Sequence, residues 1–387
     1  MGMTFRARRA LVRWGLFLVA LAPAANATPA RMAALLGNAL FEDDTNADLL
    51  PSVAARYGRS ASLHLTGGAG TRAGLISGGD RWLVGASYGA PPAYDDLARI
   101  GEELGRPILR PTRLLNVLVV RKLEDDSAFA LALNPAFGIT RSFPVGAPIT
   151  NTLSLELEAI AGLTFAQRDV TTDLALALSY HRFQQRSDGA TVAETAHVPS
   201  GAFRARTFFR GALGPAGDLG VYGELARRDE TFIQREPFTS RADLARWIAV
   251  AGMGPRFRPV DWATLAGSVE LDYTLLAGGV DTAALSFTRW TAPSLQLAAE
   301  VSPPPLSWLV VRGAVARRFT VTTDRPQLGG QADLTSDAFT WATGAGLRIE
   351  RLEVDATVST NLLLDGPSFI GGGAPGLFGS LSVRYAY

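Results

Sequence analysis

Three stretches of this chain alternate apolar and polar residues with period two, and that pattern restricts its fold more than any other feature. In Trp262–Leu275, Leu265, Val269, Leu271, Tyr273 and Leu275 share one face, and Ser268, Glu270, Asp272 and Thr274 share the other. Leu352–Leu362 places Leu352, Val354, Ala356 and Val358 opposite Glu353, Asp355, Thr357 and Ser359. Leu153–Phe165 sets leucines at 153, 155, 157 and 163 against Ser154, Glu156, Glu158 and Thr164. Period two puts successive side chains on opposite faces of a β-strand. Such strands run roughly 10–14 residues, against about 5–6 in ordinary soluble sheets. A tilted strand that crosses a bilayer needs about 9–11.

Composition points the same way. Of 387 residues, 47% are hydrophobic and only 19% charged. Past the N-terminus no apolar run reaches the roughly 18–20 residues of a spanning helix. An apolar chain without long apolar runs has to spread its hydrophobicity over alternating strands. Turn-rich stretches also alternate in length. Short ones fall at Gly78–Asp80, Glu124–Asp126, Arg168–Thr172, Gly214–Asp218, Pro259–Asp261, Pro303–Pro305 and Glu350–Arg351. Longer ones fall at Gly89–Pro111, Ser142–Asn151, Ser187–Ser200, Thr231–Asp243, Ala277–Thr291, Thr322–Thr335 and Asp365–Pro375. Short turns on one side and long loops on the other are the organisation of transmembrane up-and-down β-barrels. The expected fold is therefore all-β, a transmembrane antiparallel barrel over residues 60–387. Its predicted strands span 60–67, 71–77, 81–89, 112–123, 127–141, 152–166, 173–186, 202–213, 219–230, 244–257, 262–275, 292–301, 307–321, 336–349, 352–363 and 376–387, which is 16. If the short, glycine-rich first two stay out of the wall, the number falls to 14. An even number leaves both termini on the short-turn, periplasmic side.

The first 27 residues read as a secretory signal: Arg6, Arg8, Arg9 and Arg13, then apolar Trp14–Leu21, then Ala25-Asn26-Ala27. Their removal takes four arginines and no acid from a chain of net charge +1, leaving −3. Residues 28–59 form a short, partly helical extension, with one helix expected over Met32–Leu40 and a second over Leu49–Tyr57, where Pro51 stands near the start. It is a possible plug for the lumen. Tyr94–Arg106 is a helix-like insertion, with Leu97, Ile100 and Leu104 on one side.

The chain ends on a strand in which Leu381, Val383, Tyr385 and Tyr387 share a face. This resembles the C-terminal signal of bacterial outer-membrane barrels, which their assembly machinery reads. That family usually ends in phenylalanine, where this chain has Tyr387. The resemblance implies an integral outer-membrane location, with outer-membrane lipids and the assembly machinery as partners. A second resemblance covers Glu42-Asp43-Asp44-Thr45-Asn46-Ala47-Asp48-Leu49-Leu50-Pro51 with Ala54 and Ala55. It is similar to the acidic stretch before the first strand of FadL-like long-chain fatty-acid transporters, where it belongs to a luminal hatch. Leu50 stands where that family has asparagine and Ser52 where it has alanine. The resemblance implies at most a plugged barrel for a hydrophobic solute, and no ligand-site residues carry over.

Charged side chains facing lipid at mid-depth cost about 2–4 kcal/mol for arginine, so the charged faces are expected to point inward. The lumen-lining candidates are Arg204, Arg206, Arg210, Glu224, Arg228, Glu270, Asp272, Glu300, Arg348, Glu353, Asp355 and Arg384. Ion pairing across neighbouring strands accounts for most of them. The Arg204, Arg206, Arg210 ladder is the best candidate to face a solute, because arginines in pores attract anions. Cysteine is absent, which removes disulfides, thiolate chemistry and a lipoprotein anchor. Lys122 is the sole lysine, and no clustered basic face points to nucleic acid. The three histidines, His64, His181 and His197, form no recognisable triad, and no metal or cofactor motif stands out. The expected function is a channel or transporter for a small or hydrophobic solute, with a structural or surface-interaction barrel as the alternative. A hydrolase at the rim ranks third, and no catalytic residue is assigned.

Overall fold

The computed structural model describes residues 29–41, 47–66, 70–89, 112–113, 115–123, 126–142, 149–188, 193–198, 200–235, 240–280, 283–325, 332–358 and 378–387. The expected leader, Tyr94–Arg106 and residues 42–46 of the acidic stretch lie outside them.

The strands in chain order are β1 Ser60–Thr66, β2 Gly70–Gly78, β3 Trp82–Tyr88, β4 Thr112–Arg113, β5 Asn116–Lys122, β6 Ala128–Ser142, β7 Ile149–Gln167, β8 Val170–Asp188, β9 Ala193–Val198, β10 Ser200–Ala212, β11 Gly217–Arg235, β12 Ser240–Val260, β13 Ala263–Val280, β14 Ala283–Val301, β15 Leu309–Arg325, β16 Ala332–Ile349, β17 Leu352–Val358 and β18 Phe378–Ala386. Every pairing is antiparallel. β5 lies between β3 and β6, and β4 continues along β6, so β4 and β5 fill one place in the wall. β9 and β10 likewise share the place between β8 and β11. Eighteen segments less these two leave a wall of 16 strands.

The wall closes through β1, which pairs with β2 on one side and β18 on the other. Ser60 opposes Ala386 and Thr66 opposes Ser380. The two short glycine-rich strands therefore belong to the barrel, and the 14-strand alternative falls. Gly74 has a local use there: a side-chain carbon at that position would stand 3.0 Å from Ser62 Oγ.

The strands on the long-loop side run further than their alternation suggests. β13 and β14 are separated by residues 281–282 alone, where the sequence predicted a loop over Ala277–Thr291. Similarly, β11 reaches Arg235 and β12 begins at Ser240. His197 lies in β9 and not in a loop. Where both faces are exposed, as on β16 from Asp333 to Thr340, nothing selects an apolar side, and period two fades although the ladder continues.

The outer surface is apolar. Leu131, Leu133, Leu155, Leu157, Leu174, Leu176, Leu178, Leu265, Val269, Leu271, Leu295 and Leu297 are all exposed. Glu156, Glu158, Asp173, Arg204, Arg228, Arg312 and Asp355 are buried. A water-soluble protein has the opposite distribution. Aromatic side chains border the apolar band. Trp82, Trp262, Trp308 and Tyr387 are exposed at the short-turn end, and Tyr180, Trp290 and Phe339 higher up. Tyr273 and Trp290 pack with ring centroids 4.2 Å apart. Outward charges stand at Arg182, two residues past Tyr180, and at Arg227 and Arg317, opposite Trp247 and Phe339. From Val170 to Tyr180 the band on β8 spans about 11 residues, the length needed to cross the hydrocarbon core.

Candidate functional site in the lumen

Residues 29–41 and 47–57 lie inside the barrel, toward the short-turn end. They hold the helix Pro29–Ala34, the 3-10 turn Pro51–Val53 and the helical turn Ala54–Tyr57. The first helix is shorter than the stretch Met32–Leu40 predicted: Leu36 and Gly37 take positive φ and end it. The second begins where Pro51 sits, which suits a residue without an N–H at the first helical position.

The barrel's buried apolar contacts form around this plug. Val53, Ala54 and Tyr57 pack on Leu83, Val120, Ala130, Ile160, Ala175 and Ala177 of the wall. Leu35, Leu40 and Phe41 pack on Ala266, Ala298 and Ala314. Wall glycines make the room. A side-chain carbon at Gly162 would stand 3.0 Å from Ser52 N, one at Gly220 2.5 Å from Leu40 Cδ2, and one at Gly344 2.6 Å from Ala34 Cβ.

Polar contacts hold the rest. Arg31 Nε donates to Glu300 Oε2 at 2.5 Å, and Ala30 N donates to Ser382 Oγ at 3.0 Å. Arg56 pairs with Asp173, and Asp48 with Arg72. Arg210 and Arg256 donate to the Leu40 carbonyl at 3.4 and 3.5 Å, and Arg384 to the Tyr57 carbonyl at 3.1 Å. These contacts satisfy backbone groups that a segment without sheet partners leaves open.

The sequence-derived lumen residues fall into three groups. Glu300, Arg348, Glu353 and Asp355 surround Arg312, a buried residue absent from the lumen-lining candidates. Arg312 contacts Glu300 at 2.8 Å and Glu353 at 3.5 Å, and it pairs with Asp355. Arg348 reaches Glu300 at 3.0 Å. With Arg31 the group holds three arginines and three carboxylates, so its charges balance. The signal for Arg312 was present: it alternates with Leu309, Val311 and Val315.

The second group is the arginine ladder. Arg204 donates to Glu158 at 2.6 Å, Arg206 pairs with Glu224, and Arg210 stands 3.6 Å from Asp218. Each rung faces an acid, so the ladder offers an anion no unpaired column of charge. Arg228 pairs with Glu230. The third group is Glu270, which accepts from Tyr222 Oη at 2.8 Å, and Asp272, 4.0 Å from Arg289.

Two of the three histidines have described side chains. His64 Nδ1 lies 2.6 Å from Ser382 Oγ. His181 lies between Ser154 Oγ at 3.3 Å and Glu230 Oε2 at 3.4 Å. Serine, histidine and glutamate thus stand in line, but Ser154 is fully enclosed. A nucleophile needs an electrophile within reach, and His181 and its neighbours cover the Ser154 Oγ on the lumen side. Among the described residues no group of three or more histidines and acids is placed to hold a metal ion.

A cavity of about 200 Å³ lies between the plug and the wall of β10, β11 and β12. The plug contributes Ala39, Leu49, Leu50 and Val53, and the wall Phe208, Tyr222 and Val250, with Asp173 and the Arg206–Glu224 pair completing the lining. Phe208 and Tyr222 stack with centroids 6.4 Å apart. Tyr222 occupies the space over Gly252, which no side-chain carbon could share.

An apolar exterior, a closed wall and a charged interior settle the class. This is an outer-membrane-type β-barrel. No family model matches the chain, and no curated protein does. Among solved structures it is similar to the toluene transporter TodX of Pseudomonas putida, at 11% identity, with 93% of this chain and 96% of that one covered and a TM-score of 0.43. It is also similar to the alcaligin receptor FauA of Bordetella pertussis, at 10% identity, covering 85% and 76%, with a TM-score of 0.43. The yersiniabactin receptor FyuA of Yersinia pestis follows, at 9% identity, covering 85% and 80%, with a TM-score of 0.38. At such scores no ligand and no strand-by-strand path of these proteins transfers to this barrel.

Proposed function

We propose that this barrel admits a small, uncharged apolar solute across the outer membrane, past a plug that stays seated. The apolar cavity between Leu49, Leu50 and Val53 of the plug and Phe208, Tyr222 and Val250 of the wall carries this reading. Apolar cavities of about 150 Å³ stay dry and take up benzene, so a cavity of about 200 Å³ suits a single aromatic ring or a short alkyl chain. The arginine ladder is paired throughout, which opposes selection of anions. In this reading the short turns and both termini face the periplasm, and the final strand through Tyr387 is the mark read during assembly.

The test is uptake of labelled toluene by intact Gram-negative cells poor in other porins, with and without the chain. Uptake is expected to rise with the chain and to fall at least tenfold in Leu50→Trp, which fills the cavity, at equal amounts of folded barrel. Equal uptake by wild type and Leu50→Trp would overturn it. Uptake no higher with the chain than without it would favour a structural barrel, the reading suggested by the dense ion pairing around Arg312.

A further inference from the structure

The plug stretch Ala47–Val53 has a second side. Leu49, Leu50 and Val53 border the apolar cavity, but Ala47 and Asp48 border a separate, polar one. Asp48 is fixed there by its ion pair with Arg72 of β2. The wall contributes Ser60, Ser62, Ser87, Asn116 and Asn134. The space measures about 50 Å³, room for the centres of a few waters at roughly 10–15 Å³ each.

Asn116 sets this cavity apart. It is 5% exposed and begins β5 on the lumen-facing side, in step with buried Leu118 and Val120. Neither its Nδ2 nor its Oδ1 has a hydrogen-bond partner. Asn134, which borders the same space, is engaged: its Nδ2 donates to Glu158 Oε2 at 3.0 Å. A buried carboxamide with both ends unpaired is costly unless something fills its donor and acceptor sites. The hydroxyls of Ser60, Ser62 and Ser87 stand around the same space, and Asp48 and Arg72 cancel each other's charge. The cavity therefore offers hydrogen bonds and no net charge.

We propose that Asn116 is the recognising group of a second binding site, for a small neutral solute that carries both a donor and an acceptor, such as a primary amide or a hydroxyl. Such a guest accepts from Nδ2 and donates to Oδ1, and the serine hydroxyls take its remaining positions. The site is independent of the apolar cavity, because the plug backbone separates them.

Acetamide is the probe, and the material is the full chain purified as a folded barrel in detergent. Saturation-transfer NMR on the acetamide methyl is expected to show saturable binding that toluene does not displace. Asn116→Leu, which keeps the volume and removes both hydrogen-bonding ends, is expected to weaken that binding at least tenfold. Asn116→Asp, which keeps the shape and removes the donor, serves the same purpose if the leucine variant fails to fold. Absence of saturable transfer, equal binding in the folded variants, or a crystal structure in acetamide showing only ordered water beside Asn116 would each overturn the proposal.

Discussion

Leu40 of the plug seats where Gly220 of the wall has no side chain: a carbon added at Gly220 would lie 2.5 Å from Leu40 Cδ2. Gly220 faces Gly254 across β11 and β12, so the wall is flat at this spot. The neighbouring Leu40 carbonyl accepts from Arg210 and Arg256, which fixes the backbone while the side chain fills the socket. Plug and wall are fitted to each other at side-chain resolution.

Gly220→Val is therefore expected to unseat this end of the plug. Overpacking of this kind costs about 1–3 kcal/mol. Single-channel recordings should show a higher open conductance than wild type, and Leu40→Ala added to Gly220→Val should restore the low value. The double variant matters because contacting residues couple where distant ones add.

Arg312 and Arg31 should differ in cost although both touch Glu300. Arg312 also engages Glu353 and Asp355, so its loss removes the cation shared by three buried carboxylates and leaves Arg31 and Arg348 to face all three. Breaking a buried ion pair from one side costs about 3–5 kcal/mol. Arg312→Met is expected in that range by urea unfolding in lipid vesicles. Arg31→Met should cost clearly less, because Glu300 keeps Arg312 and Arg348.

Tyr222 lies flat only because position 252 is glycine. Gly252→Ala is expected to push the ring off the wall, breaking its hydrogen bond to Glu270 and its stack on Phe208. Toluene uptake should fall while heat-modifiable mobility of the folded barrel stays normal.

The outer band makes its own prediction. Val269→Arg, on the apolar face about midway between Trp262 and Tyr273, should destabilise the barrel in bilayers by about 2–4 kcal/mol. Leu334→Arg, on the protruding part of β16 where both faces are exposed, should change stability by less than about 0.5 kcal/mol. Equal effects would contradict the assignment of the apolar band to the bilayer.

Much of this was legible in the sequence wherever one face of a strand meets lipid. Leu265 to Leu275 and Leu153 to Phe165 declare their faces because the two sides lie in different solvents. The same rule explains the failures. On β16 both faces are exposed from Asp333 to Thr340, alternation lapses, and a continuing strand reads as a loop. Inward position was readable for Arg204 or Glu353, and equally for Arg312, but pairing was not. Which acid meets which arginine depends on register and on closure around the barrel. The plug was least legible. Nothing about Gly162, Gly220 or Gly344 distinguishes them from the other glycines of the chain until Ser52, Leu40 and Ala34 are seen above them. The acidic stretch hinted at a luminal segment, yet the residues that border the cavity are the apolar Leu49, Leu50 and Val53 that follow it.

Passage of an apolar solute past a seated plug requires that the solute occupy the space between Leu50 and Phe208 while the plug stays in place. Anomalous diffraction from crystals of the purified barrel soaked in bromobenzene tests it directly. A bromine peak is expected bordered by Leu50, Phe208 and Tyr222, with Arg31 still on Glu300, and no peak there in Leu50→Trp. Ordered water filling that cavity with no bromine in it, or bromine bound only where the plug has left the lumen, would contradict it.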